Sequence, residues 1–166
     1  MIALKLEKNI LIITWIICIL ALIFFVPKKK IKEANVVFLF KQVMTWLFGA
    51  IVVQKKLIKY PFREFPKAIH TSFSFEYFIY PATCVLFNLK FPNRKPLPIR
   101  MGYYVLYSSI LTGLEVLMER YTRLIKYVNW HWYWTWLTLC MTFFFSRMYY
   151  LWFFDKNEPL SADSNG

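Results

Sequence analysis

The stretch TSFSFEYFIYPATCVLFNL, residues 71–89, is the part of this chain that most directly indicates its fold class. It is mostly apolar and nearly as long as a helix that crosses a membrane, which needs about 20 such residues. Glu76 stands inside it, where an ionised side chain costs about 2.5–3.5 kcal/mol even on the most lenient insertion scale. The carboxyl group is therefore expected to face the interior of a helical bundle or to carry a proton.

Four further apolar runs surround this stretch. They occupy residues 9–26, 34–53, 101–128 and 130–154. The chain is 58% hydrophobic and 18% charged, whereas a soluble domain is nearer half apolar and patterns its apolar residues rather than clustering them. We predict an all-α integral membrane helical bundle with about five transmembrane helices and termini on opposite sides. Residues 1–154 form its single domain, and the polar tail 155–166 is expected to be disordered.

Basic and aromatic residues gather at the ends of these runs. The formal net charge of +12 would suggest nucleic acid in a soluble protein, but here the basic residues flank apolar segments. Anionic lipid headgroups are therefore the expected partners, and nucleic acid is not. The expected interfacial lipid contacts are Lys55, Lys56, Lys59, Arg63, Trp130 and Trp132. Segment 54–70 either lies along the membrane surface or is a solvated charge run, and Lys and Arg divide too evenly between the two sides to fix the orientation.

Polar residues inside the runs recur at steps of three and four, which keeps them on one helical face. Such faces should meet other helices, where hydroxyl groups bond across the contact. Counting along antiparallel helices places Glu76 level with Glu115, and Lys41 close to the depth of Arg147. These residues, with Tyr80, form a predicted intramembrane polar core and a candidate binding or proton site. A purely structural polar core would produce the same pattern.

Pro81 adds a second feature beside Glu76. A proline inside a helix leaves the carbonyl four residues back without its donor, and here that carbonyl belongs to Tyr77. Two carboxylates and a bare carbonyl could together hold a proton, a cation or water. The cysteines and histidines lack the spacing of a disulfide framework or a metal site, so no cofactor or metal is expected.

Four segments carry a resemblance to a known family. They are YPFREFPKA at 60–68, TSFSFEYFIYPATCVLFNL at 71–89, LEVLMERYTRLIKY at 114–127 and WHWYWTWLT at 130–138. The chain resembles an uncharacterised family of small multi-spanning membrane proteins from spore-forming Gram-positive bacteria. The resemblance implies a bacterial cytoplasmic membrane protein and brings no activity, cofactor or catalytic residue.

Three classes of function fit these features. The favoured one is a non-enzymatic accessory or lipid-interacting membrane component, with a homo-oligomer or a membrane protein partner possible. The alternative is a small proton, ion or solute transporter or channel that uses the intramembrane Glu, Lys and Arg cluster. A membrane enzyme acting on a lipid is third, because Glu76 and Glu115 could form an acid–base pair but no G-x-S-x-G, phosphate loop or metal set is present.

Overall fold

Five α-helices make up most of the chain in the computed structural model, which describes residues 2–154. The helices are α1 (Ile2–Phe25), α2 (Ile31–Gln54), α3 (Tyr80–Leu89), α4 (Leu97–Tyr121) and α5 (Trp132–Phe153). The protein is 75% helical, so the prediction of an all-α fold with five helices is confirmed. The tail predicted to be disordered, 155–166, lies outside the described residues.

Two of these helices are long and apolar enough to cross a membrane. The candidate spans are Lys5–Phe25 and Lys28–Gln54. Only 6% of the first and 17% of the second is buried, whereas the core helix of a soluble protein is mostly buried. Few residues in the most apolar windows of these two helices are therefore buried. The three later helices, as described, do not meet the same test of length and hydropathy.

The α3 helix lies at the centre of the bundle, and it packs against α1, α2 and α5. It is the continuation of a π-helical turn, Phe75–Ile79. At its far end the ring of Phe87 is fully buried. It packs against the rings of Phe91, Tyr103, Tyr104, Tyr107 and Phe143. This aromatic cluster joins α3 to α4 and α5, since such rings bury large areas and favour tilted and edge-on packing.

Short strands tie the two long connectors together at one end of the bundle. Strand β1 (Ile58–Lys59) pairs antiparallel with β2 (Lys126–Tyr127), with Ile58 opposite Tyr127 and Lys59 opposite Lys126. The sequence pattern predicted that the fourth helix could run on to Val128, and this is wrong. The helix ends at Tyr121 because Thr122 is extended and its Oγ1 donates to the Met118 carbonyl at 2.6 Å. We call the paired strands the ribbon.

The C-terminal end of α2 directs the chain into this ribbon. Lys56 has a positive φ of 55°, the left-handed conformation that often follows a helix. Its N–H donates to the Val53 carbonyl at 2.9 Å, and the Leu57 N–H donates to the Val52 carbonyl at 3.0 Å. These two bonds form a Schellman motif, which satisfies the last carbonyls of the helix. The carbonyl of Leu57 then accepts the N–H groups of the segment that follows β2.

Candidate functional site

A cavity of about 300 Å³ lies between α2, α5 and the ribbon. Its lining includes four of the five residues predicted to form a polar core, namely Lys41, Glu76, Tyr80 and Glu115. We call it the inner cavity. A larger cavity of about 400 Å³ lies beside α1 and α4, but none of the residues that line it is charged. The inner cavity is therefore the candidate site, because binding pockets combine apolar walls with a few convergent polar groups.

Glu115 accepts hydrogen bonds from three hydroxyl groups inside this cavity. Tyr80 Oη donates to its Oε2 at 2.7 Å. Tyr127 Oη and Thr135 Oγ1 donate to its Oε1 at 2.7 and 2.8 Å. Thr135 in turn accepts the indole N–H of Trp130 at 2.8 Å. The Glu115 carboxyl is thus held by groups from α3, α5 and the ribbon.

Tyr127 reaches Glu115 only because the ribbon positions it. Burial raises the pKa of the Tyr127 phenol, and the neighbouring Glu115 carboxyl raises that pKa further. The phenol therefore remains a protonated donor at neutral pH, which is the form that a carboxyl oxygen can accept from. Sequence periodicity did not identify Tyr127 or the cavity residue Tyr60. Tyr60 lies in the connector 54–70, and Tyr127 lies at the end of the fourth apolar run, where the chain forms a strand and not a helix.

The π-helical turn and Pro81 expose two backbone carbonyls beside Glu76. Within the turn the Tyr80 N–H donates to the Phe75 carbonyl, five residues back. Pro81 has no N–H for the carbonyls of Glu76 and Tyr77, which come five and four residues before it. Side chains of α2 replace the missing donor: Thr45 Oγ1 lies 2.7 Å from the Glu76 carbonyl, and Gln42 Nε2 lies 3.1 Å from the Tyr77 carbonyl.

The expectation of a bare carbonyl at Tyr77 is therefore wrong. The sequence identified the carbonyl that Pro81 frees, but the donor that satisfies it comes from a neighbouring helix. The interior polar side chains Gln42 and Thr45 of α2 are explained by this role, since a carbonyl without a partner in an apolar interior is costly. The π-turn remains a special feature, because such turns occur often at functional sites.

The carboxyl group of Glu76 lies against the backbone of α2 at Gly49. Only 3% of Glu76 is exposed, and a Cβ atom at Gly49 would lie 1.9 Å from its Oε1. Its Oε2 is buried and has no hydrogen-bond partner among the described residues. Glu76 therefore differs from Glu115, whose two oxygens both accept hydrogen bonds.

Lys41 is fully buried at the other side of the same cavity. Its Nζ donates to Thr142 Oγ1 at 2.5 Å and lies 4.8 Å from the ring centroid of Phe143. Within residues 5–154, whose side chains are described, it forms no ion pair with either Glu76 or Glu115. The lysine is held by a hydroxyl group and an aromatic face instead.

Arg147 lies apart from the inner cavity. Its guanidinium donates to the Asn88 carbonyl at 3.3 Å and to Asn93 Oδ1. It also lies 4.5 Å from the ring centroid of Phe91. The structure thus brings four of the five predicted core residues together and places the fifth at the junction of α3 and α5 with the connector that leads to α4.

The predicted interfacial residues occupy two kinds of position. Lys55, Lys56, Lys59 and Trp132 are exposed. Arg63 is half-buried and donates to the His70 carbonyl at 3.4 Å. Trp130 is half-buried, lines the inner cavity and bonds to Thr135. Trp130 is therefore a cavity residue as well as an aromatic residue near a helix end.

Comparison of the chain with family models, curated proteins and solved structures finds no match. The geometry of the inner cavity and the distribution of apolar surface therefore carry the functional argument.

Proposed function

We propose that this chain is a multi-pass integral membrane protein in which all five helices cross the bilayer. It acts as a non-enzymatic accessory or lipid-interacting component, and its family resemblance favours a bacterial cytoplasmic membrane. The observation that carries the proposal is the distribution of side chains: large apolar residues are exposed on the outer helices, while charged residues are buried within. Water as the outer solvent would favour the reverse distribution.

The outer helices expose apolar residues along their whole length. Examples are Ile16 on α1, Leu39 on α2, Leu106 on α4 and Met148 on α5, each about half exposed or more. By contrast, Lys41 and Arg147 are among the most buried side chains of the described residues. Lipid tails are a favourable solvent for such a surface, and buried charges inside a bundle are the usual arrangement in membrane helices.

Accessibility of single cysteines tests the crossings. In a variant without the native cysteines, Lys29→Cys and Arg94→Cys should react with a membrane-impermeant maleimide from one side of the membrane. Lys59→Cys should react only from the other side, because α2 and α3 separate these connectors. If Lys29→Cys and Lys59→Cys react from the same side, α2 does not cross and the five-span proposal is wrong.

The ribbon supports the lipid-interacting part of the proposal. Its register places Lys59 directly opposite Lys126, and both are exposed. Like charges directly opposite each other destabilise paired strands, so an anionic headgroup bound between them would stabilise the ribbon. Lys55 and Lys56 lie just before β1 and add to the positive charge at this end of the bundle.

Retention of lipid during purification tests this contact. Lys59→Gln with Lys126→Gln should reduce the anionic phospholipid that native mass spectrometry detects on the protein, since each basic group near the surface contributes about 1 kcal/mol. The matched control is Lys29→Gln with Lys30→Gln, which removes the same charge at the turn between α1 and α2. Equal loss from both pairs would show that net charge, and not the ribbon, retains the lipid.

A second function is favoured by one observation: within the described part of the chain, Glu76 Oε2 has no hydrogen-bond partner, and Glu76 lines the inner cavity. A small transporter or channel for protons, ions or a solute would use such a group at its binding site. Proteoliposomes should then show a flux that Glu76→Gln abolishes and Glu119→Gln, outside the cavity, leaves intact. Absence of flux in the unaltered protein would remove this candidate and leave the non-enzymatic membrane component.

A further inference from the structure

The inner cavity contains one acceptor that the described residues leave without a donor. Glu76 is 97% buried, as only 3% of it is exposed, and its Oε2 makes no hydrogen bond within the described part of the chain. A buried carboxyl oxygen without a donor or a cation costs free energy. The site is therefore incomplete in a way that a bound group with N–H donors would satisfy.

The other charged groups around the cavity are already engaged or exposed. Lys41 donates to Thr142 and lies over the ring of Phe143. Glu115 accepts three hydroxyl donors. Lys55 is exposed at the margin of the cavity. None of these three is paired with Glu76. The hydroxyl group of Thr71 lies near the Glu76 carboxyl but makes no hydrogen bond among the described residues, so Glu76 remains available to a ligand.

The volume and the walls of the cavity select the kind of ligand. A space of about 300 Å³ exceeds that of a bare metal ion, and hard cations require several oxygen ligands in a compact arrangement. The walls instead carry the aromatic rings of Tyr60 and Trp130 with the apolar side chains of Phe48 and Leu139. Aromatic faces together with one carboxylate suit an organic ammonium ion, through cation–π attraction and a charge-assisted hydrogen bond.

We propose that the inner cavity binds a small lipophilic organic ammonium ion. Its N–H groups donate to the Glu76 carboxyl, and its apolar part lies among Tyr60, Trp130 and Leu139. Entry takes place between α2 and α5, where the partly exposed Ile51 stands at the margin of the cavity. This route rests on the proposed membrane location, because only a bilayer would present a lipophilic amine to that side of the bundle.

The experiment compares two probes of nearly equal shape on the purified full-length protein in nanodiscs. Benzylamine is a cation at neutral pH, and benzyl alcohol is its neutral counterpart. We expect saturable binding of benzylamine by calorimetry, with a change in tryptophan fluorescence that Trp130→Phe removes. Glu76→Gln should weaken this binding about tenfold or more, as expected when a charge-assisted hydrogen bond is lost. Glu119→Gln, which changes the same group outside the cavity, should bind like the unaltered protein.

Three results would overturn the proposal. Benzyl alcohol could bind as tightly as benzylamine, Glu76→Gln could retain full affinity while its unfolding midpoint is unchanged, or only sodium or potassium ions could compete for the site. If Glu76→Gln instead unfolds, the test uses the unaltered protein and measures how far carbodiimide labels Glu76. Benzylamine should reduce this labelling, because a bound ammonium protects the carboxyl, and unchanged labelling would overturn the proposal. The cysteine-accessibility test judges the membrane location separately, so failure of one proposal is not failure of the other.

Discussion

At the scale of single residues, Gly49 is the glycine, among the three that the structure describes, where an added Cβ atom would collide with a neighbour. A Cβ atom there would overlap the whole Glu76 carboxyl group, at 1.9 Å from Oε1, 2.4 Å from Cδ and 2.8 Å from Oε2. The glycine is needed for space, because it lets a carboxyl group approach a helix backbone closely. Gly49 follows Lys41 and Thr45 at steps of four, which keeps all three on one face of α2, but this spacing does not reveal what Gly49 contacts.

Gly49→Ala should therefore lower the free energy of unfolding by about 1–3 kcal/mol, the usual cost of overpacking. Titration with sodium dodecyl sulfate from mild detergent micelles measures it. Gly113→Ala is the control, since nothing lies within 4 Å of its added Cβ and alanine favours a helix by roughly 0.5–1 kcal/mol over glycine. In a Glu76→Ala background, Gly49→Ala should lower the free energy of unfolding much less, because the carboxyl group that it would overlap is gone. Equal losses at Gly49 and Gly113 would contradict the overlap.

At the scale of elements, the π-turn and α2 depend on each other. Pro81 withholds an N–H from the turn, and Thr45 on α2 supplies the replacement donor to the Glu76 carbonyl. Thr45→Val should cost about 1–3 kcal/mol, because it leaves that carbonyl buried without a donor. In a Pro81→Ala background the restored N–H can donate within the helix, so the same substitution should cost less.

A double-mutant cycle measured by the same titration isolates this coupling. Thr138→Val serves as the control, since its hydroxyl donates only to carbonyls of its own helix, those of Trp134 and Thr135. We expect that substitution to be nearly neutral. Thr45→Val could lower the free energy of unfolding equally with proline and with alanine at position 81. That result would show that Thr45 does not replace the missing N–H.

At the scale of the whole molecule, the ribbon closes one end of the bundle and completes the site. It joins connectors that are far apart in the sequence, and it places Tyr127 next to Glu115.

The double variant Lys59→Cys with Lys126→Cys should form a disulfide under mild oxidation once the native cysteines are removed. The reason is that directly opposed residues have Cα atoms about 4.5–5.5 Å apart. The double variant Lys59→Cys with Val128→Cys should not form a disulfide. Val128 lies two residues from the position opposite Lys59, and the Cα atoms of such a diagonal pair are too far apart. Disulfide formation in both pairs alike would mean that the register is not fixed.

Much of the fold and part of the site followed from local patterns. Long apolar runs predicted the five helices, because a helix that exposes an apolar face must meet an apolar neighbour or lipid. Helical spacing placed Lys41, Glu76, Tyr80 and Glu115 toward one interior, and the structure gathers them around one cavity. The helix ends were predicted less accurately: the fourth helix stops at Tyr121 and not at Val128. The last part of the segment predicted as this helix forms strand β2 instead, because β1 is available as its partner.

The hydrogen-bond partner of each polar group depends on how the helices pack. Composition and covalent geometry are enough to place carboxyl groups, a lysine and a proline within apolar helices. Neither reveals that, among the described residues, Glu115 has three donors and Glu76 Oε2 has none, or that Arg147 lies apart from the cavity. Hydrogen bonds act over about 3 Å, and residues separated by dozens of positions come within that distance only when the helices and the ribbon have packed.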